Sequence, residues 1–336
     1  MSTARLVPET WELSGDDARA TLRRCGHRRL LGDAFQRLRW SDGFSHARSM
    51  AFMVSLGAIQ GMIALVGLAR ALGDGGISDV IVRSVKGAAP GPVADLLTTT
   101  ISQAQRAGAS HNFVGLAFGG IGWLITATTA MGQLERGLNR IYGVEKDRPS
   151  LQKYGLGLVL AVSVGALLTA AVGLLAFGRT VSHSFDNAAW ARTWDIAAWP
   201  VGVGLALVAI ASLFRWSPRR RQPAWSWLAF GSSVAVALWF LFTVALGEFF
   251  SHSASFGRTY GPLAGMVAFL LWSLLSSIAL FFGAAIAAQL EAVRADAASP
   301  QDSRKVAASE PDADASGASP SPTAPTAPTV PALGRA

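Results

Sequence analysis

Residues 262–289 read PLAGMVAFLLWSLLSSIALFFGAAIAAQ, an unbroken stretch of 28 positions without Asp, Glu, Lys or Arg. A helix rises about 1.5 Å per residue and the hydrocarbon layer of a bilayer is about 30 Å thick, so roughly 20 apolar residues make one crossing. This stretch exceeds that length, so it suits a tilted crossing or one whose end extends into the cytosol. Five more runs of the same character lie upstream: Met50 to Ala69, Phe113 to Met131, Gly155 to Phe177, Ile196 to Phe214 and Ala224 to Gly247. They are continuously apolar and do not alternate, which argues against barrel strands. Unpaired backbone cannot face lipid, so helices remain. The expected fold is all-α: a polytopic membrane bundle of six transmembrane helices, with amphipathic helices at the N-terminus and in the first outside loop.

The 336 residues carry a formal charge of +8, and the position of that charge matters more than its size. Alternate segments between the runs place 22 of the 29 Lys and Arg on one side and 7 on the other. By the positive-inside rule both termini are cytosolic. Basic flanks beside membrane spans also attract anionic headgroups, so nucleic acid is not an expected partner. Residues 1–48 are hydrophilic and arginine-rich, with no apolar core of a cleavable leader, so the first span acts as its own insertion signal. Three regions follow: a cytosolic amphipathic segment (1–48), a six-helix membrane domain (49–294) and a disordered Pro/Ala/Ser-rich cytosolic tail (295–336).

Within the first region, Leu22, Leu30, Leu31, Phe35 and Leu38 alternate with arginines, a pattern suited to a helix on the inner membrane surface. In the first outside loop, Ile77, Val80, Ile81 and Val85 share one helical face, and Val93, Leu97, Ile101 and Ala104 another, with Pro90 and Pro92 between them. Past the second run, Leu134, Leu138 and Ile141 fall on one stripe and Gln133, Arg136 and Arg140 on another, a two-faced extension ended by Gly143 and Arg148-Pro149. Pro200 suits a kink or a late helix start. Trp225 and Trp227 fall where an interfacial aromatic belt belongs.

The glycine pairs Gly57/Gly61 and Gly115/Gly119 notch their helices for close packing, with a homo-oligomer face as the alternative. Polar atoms inside the runs are mostly hydroxyls, which bond back to their own helix. Gln60 does so less completely, so its amide points to a partner helix or lines a cavity. No ionisable residue lies deep in a run, which weighs against an ion-coupled pump. His27, His46, His111, His183 and His252 lack metal-site spacing, and Cys25 is the sole cysteine. No nucleophile elbow, phosphate loop or acid/base cluster is present, so the chain reads as a non-enzyme that needs no cofactor and no metal.

Three segments carry a family resemblance: GQLERGLNRIYGVEKDRP (Gly132 to Pro149), SPRRRQPAWSW (Ser217 to Trp227) and RTYGPLAGMVAFLLWSLLSSIALFFGAAIAAQLE (Arg258 to Glu291). With the six-run spacing, the chain resembles the BrkB/YihY/YhjD family of bacterial inner-membrane proteins over about residues 30 to 294. Asn139 and Tyr142 match its Asn-x-x-Tyr element, and Tyr260-Gly261 its Tyr-Gly before the last span. The chain departs in the first span, which reads FMVSLGAIQG (Phe52 to Gly61) where the family often has an aromatic run ending in proline. The resemblance implies an envelope-integrity or transport protein of the inner membrane; part of the family has also carried a ribonuclease label.

The expected role is transport or organisation of an envelope lipid or lipid-linked precursor, with membrane lipids as partners. Gln133, Arg136, Asn139, Arg140 and Tyr142 are expected to contact an anionic headgroup, and Gln60 and Tyr260 to line the path. The alternatives are a non-transporting scaffold for partner proteins and, remotely, a ribonuclease.

Overall fold

The computed structural model describes residues 3–71, 91–107, 112–182, 187–253 and 262–309, with a few isolated positions between 82 and 89. Its helices are α1 (Gly15–Cys25), α2 (His27–Trp40), α3 (Gly43–Ala71), α4 (Gly91–Ala107), α5 (Asn112–Ile141), α6 (Ser150–Ser182), α7 (Ala188–Trp216), α8 (Trp225–His252), α9 (Pro262–Arg294) and α10 (Ser303–Ser309). No strand occurs among the described residues. Residues up to Asp302 form one compact unit, and α10 belongs to a separate one.

Local chemistry sets several boundaries. Ser14 and Asp17 form a reciprocal cap at the start of α1, the Ser14 amide donating to the Asp17 carboxylate at 3.1 Å. Gly26, at φ +79°, separates α1 from α2. The Asn187 side chain accepts from the Ala189 amide at 2.8 Å and caps α7. Gly143 ends α5 at φ +74°, and a Cβ there would stand 2.6 Å from Leu6 Cα. Both the left-handed backbone and the close approach of the N-terminal segment therefore require glycine.

Six long helices pack in cyclic order: α3 against α5, then α6, α7, α8, α9 and back to α3. α9 is the most enclosed, half of its apolar window being buried against 22% to 33% for α3, α6, α7 and α8. Large apolar side chains such as Phe118, Val159 and Leu241 face outward and are exposed. Such a surface suits lipid and would be an aggregation hazard in water. Because lipid competes away the hydrophobic drive between helices, close backbone approach has to supply cohesion. Cβ atoms on Gly231 of α8 and Gly283 of α9 would each stand 2.5 Å from the other glycine's carbonyl oxygen. The α3/α5 seam uses the same device: a Cβ on Gly119 would lie 2.7 Å from Ala64 N, and one on Gly61 2.9 Å from the Trp123 ring. Gly57 faces Thr126, while the surroundings of Gly115 lie outside the described residues.

Among the described residues, five helices are long and apolar enough to cross a membrane: α3, α6, α7, α8 and α9. The expected run Phe113 to Met131 lies in α5, which is not among these five. The first residues of that run, up to 115, lie outside those whose surroundings are described. In the packing order α5 stands between α3 and α6 as the sixth member of the bundle.

Other differences concern the ends of the bundle. α7 begins at Ala188, so Pro200 lies inside it and not at a late start. Trp225 is exposed and stacks edge-on with Trp216 at 5.3 Å, but Trp227 is fully buried and belongs to the core, not to an interfacial belt. α4 buries Val93 and Leu97 beside Leu246, Phe250 and Phe269, and Ile101 is also fully buried, at the end away from α1 and α2. The segment around Ile77 and Val80 lies outside the described residues.

α2 is not simply laid on a surface. It packs on α9 and α3 and buries Leu30, Ala34, Arg37 and Leu38, while Leu31 and Phe35 stay half exposed. Nor does the chain leave the bundle at Arg294. The Gln289 amide donates to the Ala298 carbonyl at 2.6 Å, and the Asp302 amide to the Thr3 carbonyl at 2.9 Å, so residues 295–302 fold back beside the N-terminal segment.

Candidate functional site at the basic end of the bundle

The start of α3, the ends of α5, α7 and α9, and the starts of α6 and α8 converge at one end, hereafter the basic end. Leu134, Leu138 and Ile141 form the buried stripe of the α5 extension, all fully enclosed. Lying beyond the apolar run, they are withdrawn from water, and each contributes about 1.5–3 kcal/mol. That stripe fixes the opposite, polar face of α5.

On that face Asp147 is the hub. It accepts from Asn139 Nδ2 at 3.0 Å and from Arg136 Nε at 3.3 Å, and Lys153 Nζ stands 3.5 Å away. Arg219, from the turn between α7 and α8, donates to the Asp147 carbonyl at 2.7 Å, and its amide donates to Asn139 Oδ1 at 2.8 Å. Arg148 straps the same turn. Its guanidinium meets the carbonyls of Trp216, Ser217 and Pro218 and pairs with buried Glu135 at 3.3 Å. Charge-assisted bonds of this kind hold a turn whose backbone acceptors would otherwise lack partners.

Burial pushes the Asp147 carboxyl up, but the Asn139 amide, Lys153 and Arg136 outweigh it and hold the group below the usual carboxylate range. A carboxyl depressed in the folded state stabilises the fold above its unfolded pKa, about 3.9, and loses that contribution as pH falls through the folded value. Thermal melts of the purified protein should therefore fall steeply at acid pH. Asp147→Asn should melt lower at neutral pH and lack that part of the acid loss; an identical acid limb in both proteins would contradict this role.

Behind this hub lies a second, wholly enclosed cluster. Arg37 of α2 donates from Nε to Gln289 Oε1 at 2.7 Å and from Nη1 to the carbonyls of Arg5 and Ile141 at 3.0 and 3.2 Å. Arg220 pairs with Glu291 of α9 at 2.6 Å, both side chains being at most 2% exposed. Glu291 also accepts from the Thr10 hydroxyl at 2.6 Å. The Arg220 guanidinium lies 4.5 Å above the ring of fully buried Tyr142. Burial lowers the Arg37 guanidinium to about 10, which still leaves it charged at neutral pH.

The structure brings Arg136, Asn139 and Arg140 together near Asp147, with Gln133 half-buried one turn earlier on α5. Arg136 is exposed and Arg140 half-buried, whereas Asn139 and Tyr142 are enclosed, Asn139 with its amide oxygen and nitrogen both engaged. Gln60 lies in the α3/α5 seam and accepts from Thr126 Oγ1 at 2.9 Å, against the gap left by Gly122, so it joins two helices. Tyr260 lies outside the described residues. Sequence reasoning missed Arg37, Glu135, Asp147, Arg220 and Glu291. Arg37 carried a signal: it falls seven residues after Leu30, on the stripe that also holds Ala34 and Leu38.

An all-α bundle with lipid-facing apolar helices, joined at one end by an arginine-carboxylate framework, is an integral membrane protein. The chain belongs to the virulence factor BrkB family, whose pattern matches residues 34–308. It is 23% identical over 266 residues to the ribonuclease-like protein YfkH of Bacillus subtilis, covering 78% of this chain and 94% of that one. It is 26% identical to the UPF0761 membrane protein RSc1559 of Ralstonia nicotianae, over 61% of this chain and 45% of that protein. It is also 31% identical to the UPF0761 membrane protein Rru_A2625 of Rhodospirillum rubrum, over 54% of this chain and 42% of that protein. The chain thus spans less than half the length of these last two relatives. No solved structure matches the chain.

Proposed function

We propose that this protein is a six-span protein of the bacterial inner membrane whose basic end faces the cytosol and binds the anionic headgroup of an envelope lipid or lipid-linked precursor, which it moves or organises in support of envelope integrity. One observation carries this reading: Arg136, Lys153 and Arg219 share the single residue Asp147 at the foot of an apolar bundle. Arg136 and Lys153 face its carboxylate and Arg219 its main-chain carbonyl, so one negative charge answers three cations where a phosphate-bearing headgroup would meet the protein. Residues 3–5 and 300–302 lie together at this end, which agrees with an even number of crossings between them. The bias of Lys and Arg toward the same side supports a cytosolic location.

The reading is non-enzymatic. Glu135, Asp147 and Glu291 are each engaged by arginine, so they are poorly placed for hydrolytic acid/base work. The ribonuclease-like name of the Bacillus relative is accordingly not carried over.

Native mass spectrometry of the purified protein tests the proposal. Anionic phospholipid should be retained over zwitterionic lipid, and Arg136→Ala should reduce the retained anionic fraction several-fold without changing the melting temperature by more than a few degrees. Equal retention of both lipid classes, or no change in the variant, favours a scaffold that binds partner proteins and moves no lipid.

A further inference from the structure

The enclosed cluster behind Asp147 holds more donors than the protein's own acceptors satisfy. Arg37 is fully buried, yet among the described residues its hydrogen bonds go to neutral acceptors, a glutamine amide and two carbonyls. Its Nη2 has no partner. Arg220 gives its two Nη groups to Glu291, while its buried Nε has no partner. The Tyr142 hydroxyl and the Gln222 amide are likewise buried; among the described residues Gln222 Oε1 is the one acceptor in reach of that hydroxyl, and Gln222 Nε2 keeps no partner. Arg37, Arg220 and Gln222 all lie within reach of the Tyr142 hydroxyl. Arg37 bonds the carbonyl of Ile141, next to Tyr142, and Arg220 covers the Tyr142 ring.

Two guanidiniums share one carboxylate here, Glu291 acting on both Arg37 and Tyr142. An isolated charge withdrawn from water is costly unless a counter-charge and hydrogen bonds compensate it. We propose that Arg37 Nη2, Arg220 Nε, the Tyr142 hydroxyl and the Gln222 amide form a binding site for one small inorganic monoanion, of the halide class. A monoanion neutralises the second guanidinium and accepts from several donors at once. A single-atom anion also brings no donors or acceptors of its own that the enclosed site would have to satisfy. Bound there, it ties α2, the end of α5, the turn before α8 and the end of α9 into one unit. The site is distinct from the exposed arginines of the headgroup proposal and does not depend on it.

The test is thermal unfolding of the full chain in detergent, titrating chloride against gluconate at constant ionic strength. A ligand bound only by the folded state raises the melting temperature in a saturable way. Wild type should show a saturable rise of several degrees. Tyr142→Phe, which removes only the hydroxyl, should weaken the half-saturating chloride concentration by about tenfold. Arg37→Gln should abolish the response, and exposed Arg28→Gln should keep it. If Arg37→Gln does not fold, Tyr142→Phe decides alone. No chloride dependence in wild type, or an undiminished one in Tyr142→Phe, overturns the site and leaves only buried water as its occupant.

Discussion

Glu291→Ala is expected to destabilise the protein by about 3–5 kcal/mol, the cost of leaving a buried arginine without its carboxylate. Arg220 and Glu291 are joined at 2.6 Å with both side chains essentially sealed from solvent, and Arg37, a second buried cation, stands nearby. Removing the carboxylate also orphans the Thr10 hydroxyl, which anchors the N-terminal segment to α9. The double replacement Arg220→Met/Glu291→Leu, which fills similar volume without charge, should recover much of the loss, since a buried pair often adds little over a well-packed apolar one. Melting of the three proteins in one detergent settles the matter. Glu291→Ala melting beside wild type would show that the bridge holds nothing together.

Gly283→Ala should be the most damaging single-methyl addition in the helices. The new Cβ would stand 2.5 Å from the Gly231 carbonyl oxygen and 2.7 Å from Ala235 Cβ, so backbone or neighbouring side chain must move. Overpacking of this kind costs about 1–3 kcal/mol, and more where backbone is the obstacle. Gly165 of α6 supplies the internal control, with nothing within 4 Å of the same built atom. There, alanine should stabilise by up to about 1 kcal/mol through helix propensity. Opposite signs for two identical chemical changes, read as melting shifts, are the expected result. Equal effects would mean that α8 and α9 do not cross through their glycines.

What the sequence reveals here follows the range of each interaction. Five of the six apolar runs coincide with helices able to cross a bilayer, because hydropathy is a local property of the run. The sixth run, Phe113 to Met131, lies in α5, whose glycines serve the seam with α3. In sequence Gln60 suits joining helices or lining a cavity, and only the fold shows its partner, Thr126, 66 residues away. The basic end was readable as basic but not as a framework. Asp147, Glu135 and Glu291 look like ordinary surface carboxylates until the turn at 216–220 is folded against them. Arginines near a membrane span have a sufficient explanation in topology, and that explanation hid the burial of Arg37 and Arg220.

The bond between Arg37 and Gln289 joins residues 252 positions apart. At roughly 5–20 residues per second of synthesis, the second partner emerges about 10–50 s after the first. Throughout that interval α2 exists without the groove that finally receives it, carrying a charged face and an oily one. Nascent α2 therefore has to rest on the bilayer surface or on a chaperone, and it docks only when α9 has been delivered. Docking of α2 follows the delivery of α9, more than two hundred residues later in synthesis.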